Sequence, residues 1–597
     1  MKKRSVRPPS QWSLAMNDLP TPVFDYQAVL FVQLNDLYHI DACADYRDPQ
    51  TMLLPRVATV IDRLRKKYDS ESVIVCLPGD FLAPSALSRA HAGQQMVDVL
   101  NELGVNFVCP GNHEFDLKRE DMSARDLVAE CIAKSKFRWL LTNLKEGSAK
   151  DDSRLPFDKY AIIDLSPSTK LILVGMLLPM ELPNGAGKTA IPAAALTKQM
   201  DAIIQEIGKR GVVGDPLHLV VALTHLELKA DRHFAASSNL VHMIMGGHDH
   251  NVKVLKIGSE CLITKTASNA RTLRLNFVVE FTPADSEWGQ SISDHAKHEI
   301  LRHSLSQILT DVRGVALDTD SSEAADECTV KEEWITTYDM SAAQPVLFSS
   351  LALNTCTQSF QDLVPPDPDL QKRIMEWVAR KPELNRVVVT APIRLELDDA
   401  KIRTRPTNFA LMCCEIMRGT FSERPLADVA LITGGTFRLD RDIEEGETLT
   451  CRLLEDIFYY DNKLFEYEVS GSVLLKILDQ SQKFVPAGVE TEESEGSGEF
   501  LQMSGFWVTN STLGGPLPPL DVTLVDLVRN VLDPGTAYRV VVTNYVSEDS
   551  EAYKHFFADL KPQEVVENLR VEVQNSLDAA MNWVAQLPDV ANMMSRE

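Results

Sequence analysis

Five apolar runs in the first half of the chain share one property: each ends on residues able to ligate a metal. "VLFVQL" (29–34) is followed by Asn35 and Asp36, "VIVCLP" (73–78) by Gly79 and Asp80, and "VNFVCP" (105–110) by Gly111, Asn112, His113 and Glu114. "LVVALT" (219–224) runs into His225, and "VHMIM" (241–245) into Gly246, Gly247, His248, Asp249 and His250. Between these runs lie stretches with helical spacing, such as 51–68 and 92–104. Strands alternating with helices predict a layered α/β domain. In such sheets ligands bind beyond the carboxyl ends of the strands. If the five strands lie side by side, their polar ends converge on one rim.

The residue types have a chemical logic. Asp, Asn and His offer oxygen and nitrogen donors, suited to Mn, Zn, Fe, Co or Mg rather than to a thiolate site. A carboxylate has two oxygens, so Asp80 is the natural bridge between two ions. His248 and His250 are two apart, so on an extended stretch both face the same way. Two divalent ions form a clamp for phosphoryl transfer and lower the pKa of water held there. His113 follows a ligand-type Asn and could stand beside the metals, stabilising charge or protonating a leaving oxygen. Asp116 could hold its imidazole. Read singly, each element is ordinary: a Gly-Asp after a strand is a turn, and a lone buried His is a core residue. His233 and His242, which have no motif context, are read as structural. Five strand ends in this order are not ordinary.

The stretch "LNDLYHID" (34–41) raises one further point. In an extended chain Tyr38 shares the face of Asp36 and His39 does not. Tyr38 would then face the metals as a hydrogen-bond partner for water or phosphate.

At 597 residues the chain needs more than one core. The expected division is a flexible arm over 1–26, a catalytic α/β domain over 27–282, and an acidic insertion with a linker helix over 283–383. A second α/β domain follows over 384–560, with an acidic loop at 489–499. An amphipathic helix and tail close the chain over 561–597, with Leu569, Val573, Leu577 and Leu587 on its apolar stripe. Lys and Arg total 60 against 85 Asp and Glu, a net charge of -25, which disfavours nucleic acid. Ten cysteines without a CxxC pair, including adjacent Cys413 and Cys414, read as buried thiols of a reducing compartment. With no apolar run long enough to span a bilayer and no secretory h-region, a cytoplasmic protein without a membrane partner is expected.

Asp36, "GD" at 79–80, "GNHE" at 111–114, "TH" at 224–225 and "GGHDH" at 246–250 resemble the motifs of the calcineurin-like metallophosphoesterases. The chain is more closely similar to the two-domain 5'-nucleotidase family, which includes bacterial UDP-sugar hydrolase and ecto-5'-nucleotidase. "RTRPTNFALMCCEIMR" (403–418), "ITGGTFR" (432–438) and "FLQMSGFWV" (500–508) resemble segments of its second domain. The resemblance implies an N-terminal β-sandwich flanked by helices and a C-terminal α/β substrate-binding domain. It also implies two divalent metals, one on Asp36, Asp80 and His250, the other on Asp80, Asn112, His225 and His248. His113 and Asp116 match the catalytic pair. Arg403 and Arg438 match substrate-binding arginines, and Tyr460 and Tyr545 match aromatic positions that sandwich a nucleobase. Three departures stand out: Tyr38 replaces a family His, which implies a first metal one nitrogen ligand short and leaning toward Mn or Mg, Thr433 replaces an Asn, and Glu551 stands where a ribose-binding Asp is expected. The implied activity is hydrolysis of a phosphorylated small molecule, a nucleotide first. The alternatives are diphosphate or cyclic-nucleotide cleavage at the same site, or a non-catalytic sensor that keeps the fold.

Overall fold

The computed structural model describes residues 24–585 except for 47, 146, 149–153, 200–216, 239, 259–260, 284–293, 320, 339–345, 422–425, 440, 485–496 and 506–531. The arm expected over 1–26, up to residue 23, lies outside the described residues, as do most of the acidic loop 489–499 and Leu587. The chain divides into two compact units, 1–380 and 381–597.

In the first unit, β1 (Phe24–Gln33), β2 (Val73–Pro78), β3 (Phe107–Cys109) and β4 (Arg138–Trp139) run parallel, each beside the next. A second sheet then begins with β5 (Tyr160–Asp164) and β6 (Thr169–Leu177). After a small hairpin of β7 (Glu181–Leu182) and β8 (Gly187–Lys188), it continues with β9 (Leu217–His225), β10 (Val241–Gly246), β11 (Lys253–Ile257) and β12 (Cys261–Lys265). Its order is β11-β12-β10-β9-β6-β5, parallel at the centre with antiparallel edges. The chain returns to the first sheet with β13 (Thr272–Pro283), β14 (Thr329–Tyr338) and β15 (Val346–Asn354), giving the order β14-β15-β13-β1-β2-β3-β4.

The five strands with polar ends are therefore not neighbours in one sheet. Three belong to the first sheet and two to the second, and stacking brings their ends to a shared edge. The interior between the sheets holds Val29, Phe31, Ile74 and Cys76 against Leu171, Leu173, Leu219, Val221, Leu223, Met243 and Met245. The alternate residues Ile172, Val174, Val220, Ala222 and Ile244 point the other way, onto Phe234 of helix Leu228–Ser237. Both faces are covered, which is why these strands read as continuous apolar runs rather than as alternating ones.

The stretch 283–383 does more than insert and link. It supplies β14 and β15 to the first sheet and helices Asp294–Leu317 and Pro368–Ala379 to the first unit. Trp377 Nε1 donates to Asp98 Oδ2 at 2.8 Å, and Arg56 Nη1 donates to Gln361 O at 2.7 Å. These bonds fasten the segment to helices Gln94–Leu103 and Leu53–Lys67. Its polar composition hides β15, "VLFSSLALN", whose first eight residues are buried.

In the second unit, β16 (Val387–Thr390) pairs with β18 (Thr448–Thr450), apart from a five-stranded sheet. That sheet joins β17 (Val429–Thr433), β19 (Leu464–Ser470), β20 (Leu501–Ser504), β21 (Ala537–Thr543) and β22 (Glu564–Val566) in the order β20-β17-β21-β19-β22. Helix Asn408–Gly419 brings Cys413 and Cys414, both fully buried, into the core. Helix Leu569–Ala585 docks on this same core through Leu569, Val573, Leu577 and Met581. Among the described residues no helix is long and apolar enough to cross a membrane.

Leu577 is fully buried in that contact. Leu577→Ala is expected to lower the stability of the second unit by about 2–5 kcal/mol, read as a shifted urea-denaturation midpoint.

Candidate metal centre

At the shared edge the backbone leaves each strand abruptly. Asp36, Asp80, His248 and His250 all have left-handed backbone angles, with φ of 51°, 54°, 80° and 59°. Residues other than glycine enter this region at a cost, and Asp and His do so more readily than most. Close packing of the loops also demands glycine. A Cβ on Gly111 would overlap Asp80 Oδ1, and one on Gly79 would overlap His225 Nδ1.

The loops are tied by one carboxylate. Glu114, fully buried, accepts backbone N–H groups from Asp80 at 2.9 Å, Phe81 at 2.6 Å and Leu82 at 3.0 Å, and a fourth from Gly111. It thereby joins the loop after β2 to the loop after β3. Burial, then the charge of Asp80, raise its carboxyl to about 7, against the pull of those N–H groups. On the second sheet a buried cation does the matching work. Lys265, at the end of β12, donates to Leu226 O at 2.6 Å and Gly247 O at 2.8 Å, and pairs with Asp231 at 3.0 Å and with Asp249. Glu114 lies within the "GNHE" motif, yet only its fold shows its role. Lys265 stands in "CLITK", where no ligand-type pattern marks it.

The structure brings Asp36, Asp80, His113, His225, His248 and His250 together. His225 Nε2 lies 3.1 Å from Asp80 Oδ2 and 3.2 Å from His248 Nδ1. Its other nitrogen, Nδ1, is 2.9 Å from Pro78 O, which fixes the ring. His250 Nε2 lies 3.4 Å from Asp36 Oδ1. Asp36 accepts from Asn35 Nδ2 at 2.6 Å and from the His248 N–H at 3.0 Å. His113 donates its N–H to Asp80 Oδ1 at 2.9 Å, its Nδ1 lies 2.6 Å from Asp116 Oδ2, and its Nε2 lies 3.9 Å from Asp80 Oδ2. The ring of the loop after β1 that meets Asp36, Asp80 and His250 belongs to Tyr38, while His39 donates its backbone N–H to Asn269 Oδ1.

Among the side chains themselves, charge sharing is strong. Burial would push the Asp80 carboxyl up, but the charges of His225 and His113 outweigh it and hold Asp80 well below the usual carboxylate range. Burial would likewise depress His225, but Asp80 beside it raises it to about 9. Burial, then the neighbouring His225, lower His248 to about 3, so it stays neutral with a lone pair to give. Asp80, His225 and His248 offer ligand atoms that all lie within 4.8 Å of one another. Asn112 Oδ1 is buried with no hydrogen-bond partner. Two imidazoles and a carboxylate this close, in a loop cluster that also carries an unpaired buried acceptor, suit a divalent cation.

The second-unit residues form a separate group. Arg438 Cζ lies 5.7 Å from the Tyr460 ring centre, and its charge acts on Tyr545. Tyr545 Oη donates to Glu499 Oε1 at 2.6 Å, and Ser550 Oγ donates to Glu499 Oε2 at 2.7 Å. Arg403 pairs with Asp399 at 2.5 Å, and its backbone packs beneath Gly434 at the start of the loop carrying Arg438. Thr433 shares a 3.0 Å hydrogen bond with Thr436. Glu551 stands apart from the Tyr545 contact. Its side chain is 87% exposed and pairs with Lys554. The carboxylate that meets Tyr545 is Glu499, the last residue of the acidic loop 489–499.

A helix-flanked β-sandwich with Asp, Asn and His side chains along one edge fits a calcineurin-like phosphoesterase domain. Residues 30–252 match that family, whose members use a dinuclear divalent metal centre. Residues 387–558 match the 5'-nucleotidase C-terminal domain, so the chain has the two-domain architecture of the 5'-nucleotidases. The fold is similar to that of a 5'-nucleotidase precursor from Thermus thermophilus, at TM-score 0.64 and 16% identity, covering 94% of this chain and 96% of that one. It is also similar to the sulfate thiohydrolase SoxB of Thermus thermophilus, at TM-score 0.57 and 14% identity, covering 94% and 95%. A 5'-nucleotidase from Candida albicans aligns at TM-score 0.57 and 11% identity, covering 94% and 98%. No curated protein sequence matches the chain.

Two measurements follow. In Glu114→Gln an amide N–H₂ faces two backbone donors. The loss is expected to be about 1–3 kcal/mol for each unsatisfied N–H, with metal affinity falling alongside, read by denaturation and by calorimetric titration. An ion entering beside His225 must displace the proton that this group, raised to about 9, holds at neutral pH. Apparent affinity is therefore expected to climb by about tenfold per pH unit from 7 and to level off above 9, measured by chelator competition.

Proposed function

We propose that the chain is a divalent-metal-dependent phosphoester hydrolase that releases phosphate from a nucleotide. The arrangement around Asp80 carries the reading. One carboxylate is shared by His225 and the His113 backbone, with His248 and the unpaired Asn112 Oδ1 completing a donor set for a cation. A divalent ion there supplies a Lewis acid for phosphate oxygens and makes water more acidic.

The remaining chemistry belongs to the side chains. Asp116 takes the Nδ1 proton of His113 and leaves Nε2 facing the edge, 3.9 Å from Asp80 Oδ2. As the imidazolium, with Nδ1–H bonded to Asp116, the ring can donate from Nε2–H to a phosphate oxygen as charge builds or hand that proton to the leaving oxygen, ending as the neutral Nδ1–H form. His113 is placed by its own backbone, since the N–H bonded to Asp80 fixes the start of the turn His113–Asp116. Recognition falls to the second unit. Arg438 supplies a guanidinium suited to phosphate or carboxylate. The rings of Tyr460 and Tyr545 offer faces on which a base can stack, at ~1–3 kcal/mol per base. The 5'-nucleotidase C-terminal domain match and the name of the Thermus 5'-nucleotidase precursor support a nucleotide over other phosphoesters.

The test is phosphate release from a panel of nucleoside monophosphates, nucleoside diphosphates and cyclic nucleotides with Mn, Co, Zn or Mg added. Turnover of the monophosphates is expected to dominate; a metal-loaded protein that turns over none of them rules out the nucleotidase reading. His113→Ala should lower kcat by about 10²–10⁴-fold with metal content unchanged, and unaltered kcat would remove the role given to this ring.

A further inference from the structure

The two halves of the centre are not equivalent. Asp80, His225 and His248 bring ligand atoms within 4.8 Å of one another, and Asn112 Oδ1, flanked in the chain by Gly111 and His113 that both meet Asp80, is a buried acceptor with nothing to accept. A buried acceptor left unmet is costly, so this half calls for a positive charge. Beside Asp36 and His250 the chain meets the demand itself. Tyr38 Oη lies 2.8 Å from His250 Nε2, 3.2 Å from Asp80 Oδ2 and 3.3 Å from Asp36 Oδ1. A hydroxyl has one proton to give and two lone pairs to receive with, and here it stands between an imidazole and two carboxylates. Asp36 needs little more, because Asn35 Nδ2 and the His248 N–H already donate to it at 2.6 and 3.0 Å.

The phenol is also held in place. The Tyr38 N–H donates to Asn269 Oδ1 at 2.9 Å, and the Asn269 N–H donates back to Asp36 O at 3.0 Å. The ring packs edge-on against those of His250 and His113, with centroids 5.4 and 6.4 Å away, and the residue is 9% exposed. An ion seated among Asp36, Asp80 and His250 would have to approach each donor to ~2.0–2.2 Å, competing with an oxygen that the fold fixes against all three.

We propose that the centre of this chain holds one tightly bound divalent ion, at Asp80, Asn112, His225 and His248, and that the Tyr38 hydroxyl stands in for a second by bridging Asp36, Asp80 and His250. The proposal rests on the metal-dependent reading above and departs from the dinuclear centre of the family. It accounts for a loop in which the expected imidazole is a phenol while every other donor is retained.

The experiment counts ions rather than turnover. Full-length protein is stripped with chelator, dialysed against graded Mn²⁺, and followed by elemental analysis and electron paramagnetic resonance. The wild type is expected to take up one Mn²⁺ per chain, with the hyperfine spectrum of an isolated ion, and any second ion about 10- to 100-fold more weakly. Tyr38→His is expected to bring the count to two and to produce an exchange-coupled spectrum. Tyr38→Phe keeps the ring, removes only the hydroxyl, and should strengthen uptake of the second ion by about tenfold. A wild type that binds two ions with similar affinity, or already shows coupling, overturns the proposal. So does a count left unchanged by both variants, or no binding at all. One bound ion without turnover of any phosphoester counts against the functional reading and leaves the stoichiometry standing.

Discussion

The tie made by Glu114 is the interaction on which the centre depends. Two loops leave β2 and β3 in conformations that no regular ladder satisfies, and their amides converge on one buried carboxylate. With the Asp80 backbone fixed, its side chain accepts the His113 N–H, and His113 is aligned in turn. The order of control runs from a buried acid, through backbone, to a ligand, and then to the ring that faces substrate. Lys265 reverses the polarity on the opposite sheet, where a cation collects carbonyls and carboxylates around the loop bearing His248 and His250. Buried charges are costly unless richly bonded, and here each is bonded because it replaces a missing ladder.

Much of this was legible in the sequence because strand ends announce themselves. An apolar run closed by Gly and a ligand-type residue fixes where a strand stops and what it offers there. The sandwich was not legible from those runs. Periodicity reports that both faces of β9 or β10 are covered, and says nothing of whether a sheet or a helix covers them. The parts contributed by 283–383 were hidden for a related reason, since an acidic, polar stretch surrounds the apolar β15. Tyr38 faces the centre although the extended-strand argument that singled it out does not describe the backbone there. The chain has already turned at Asp36, with φ 51°, and Asn269 sets where the ring goes. Lys265 and Asn269 both come from "KTASN" (265–269), which carries no ligand-type spacing. Residues that place ligands are chosen by loop geometry, and loop geometry is what a one-dimensional pattern lacks.

The two units divide the chemistry by the softness of their constraints. Around Asp80 every loop is pinned by buried charge. In the second unit the group at Arg438 is more open: Tyr545 is 38% exposed, and the carboxylate bonded to it, Glu499, sits on a loop rather than in a strand. A hydroxyl held by an acid, a ring under a guanidinium and an arginine tied to Asp399 make a surface whose polarity can be retuned one residue at a time. Of the three departures from the family pattern, Glu551 is exposed in this unit, whereas Thr433 is buried and Tyr38 stands at the metal centre.

The shared edge has one more consequence. Asp36, Asp80 and Asn112 hang from one sheet, while His225, His248 and His250 hang from the other. Anything that grips both sets acts as a clasp across the open end of the sandwich. By mass action its binding energy is added to the cohesion of the two sheets, so the first unit should breathe least at the end where its chemistry sits. Occupancy of the centre is then a mechanical variable as well as a chemical one, setting how readily one sheet can part from the other.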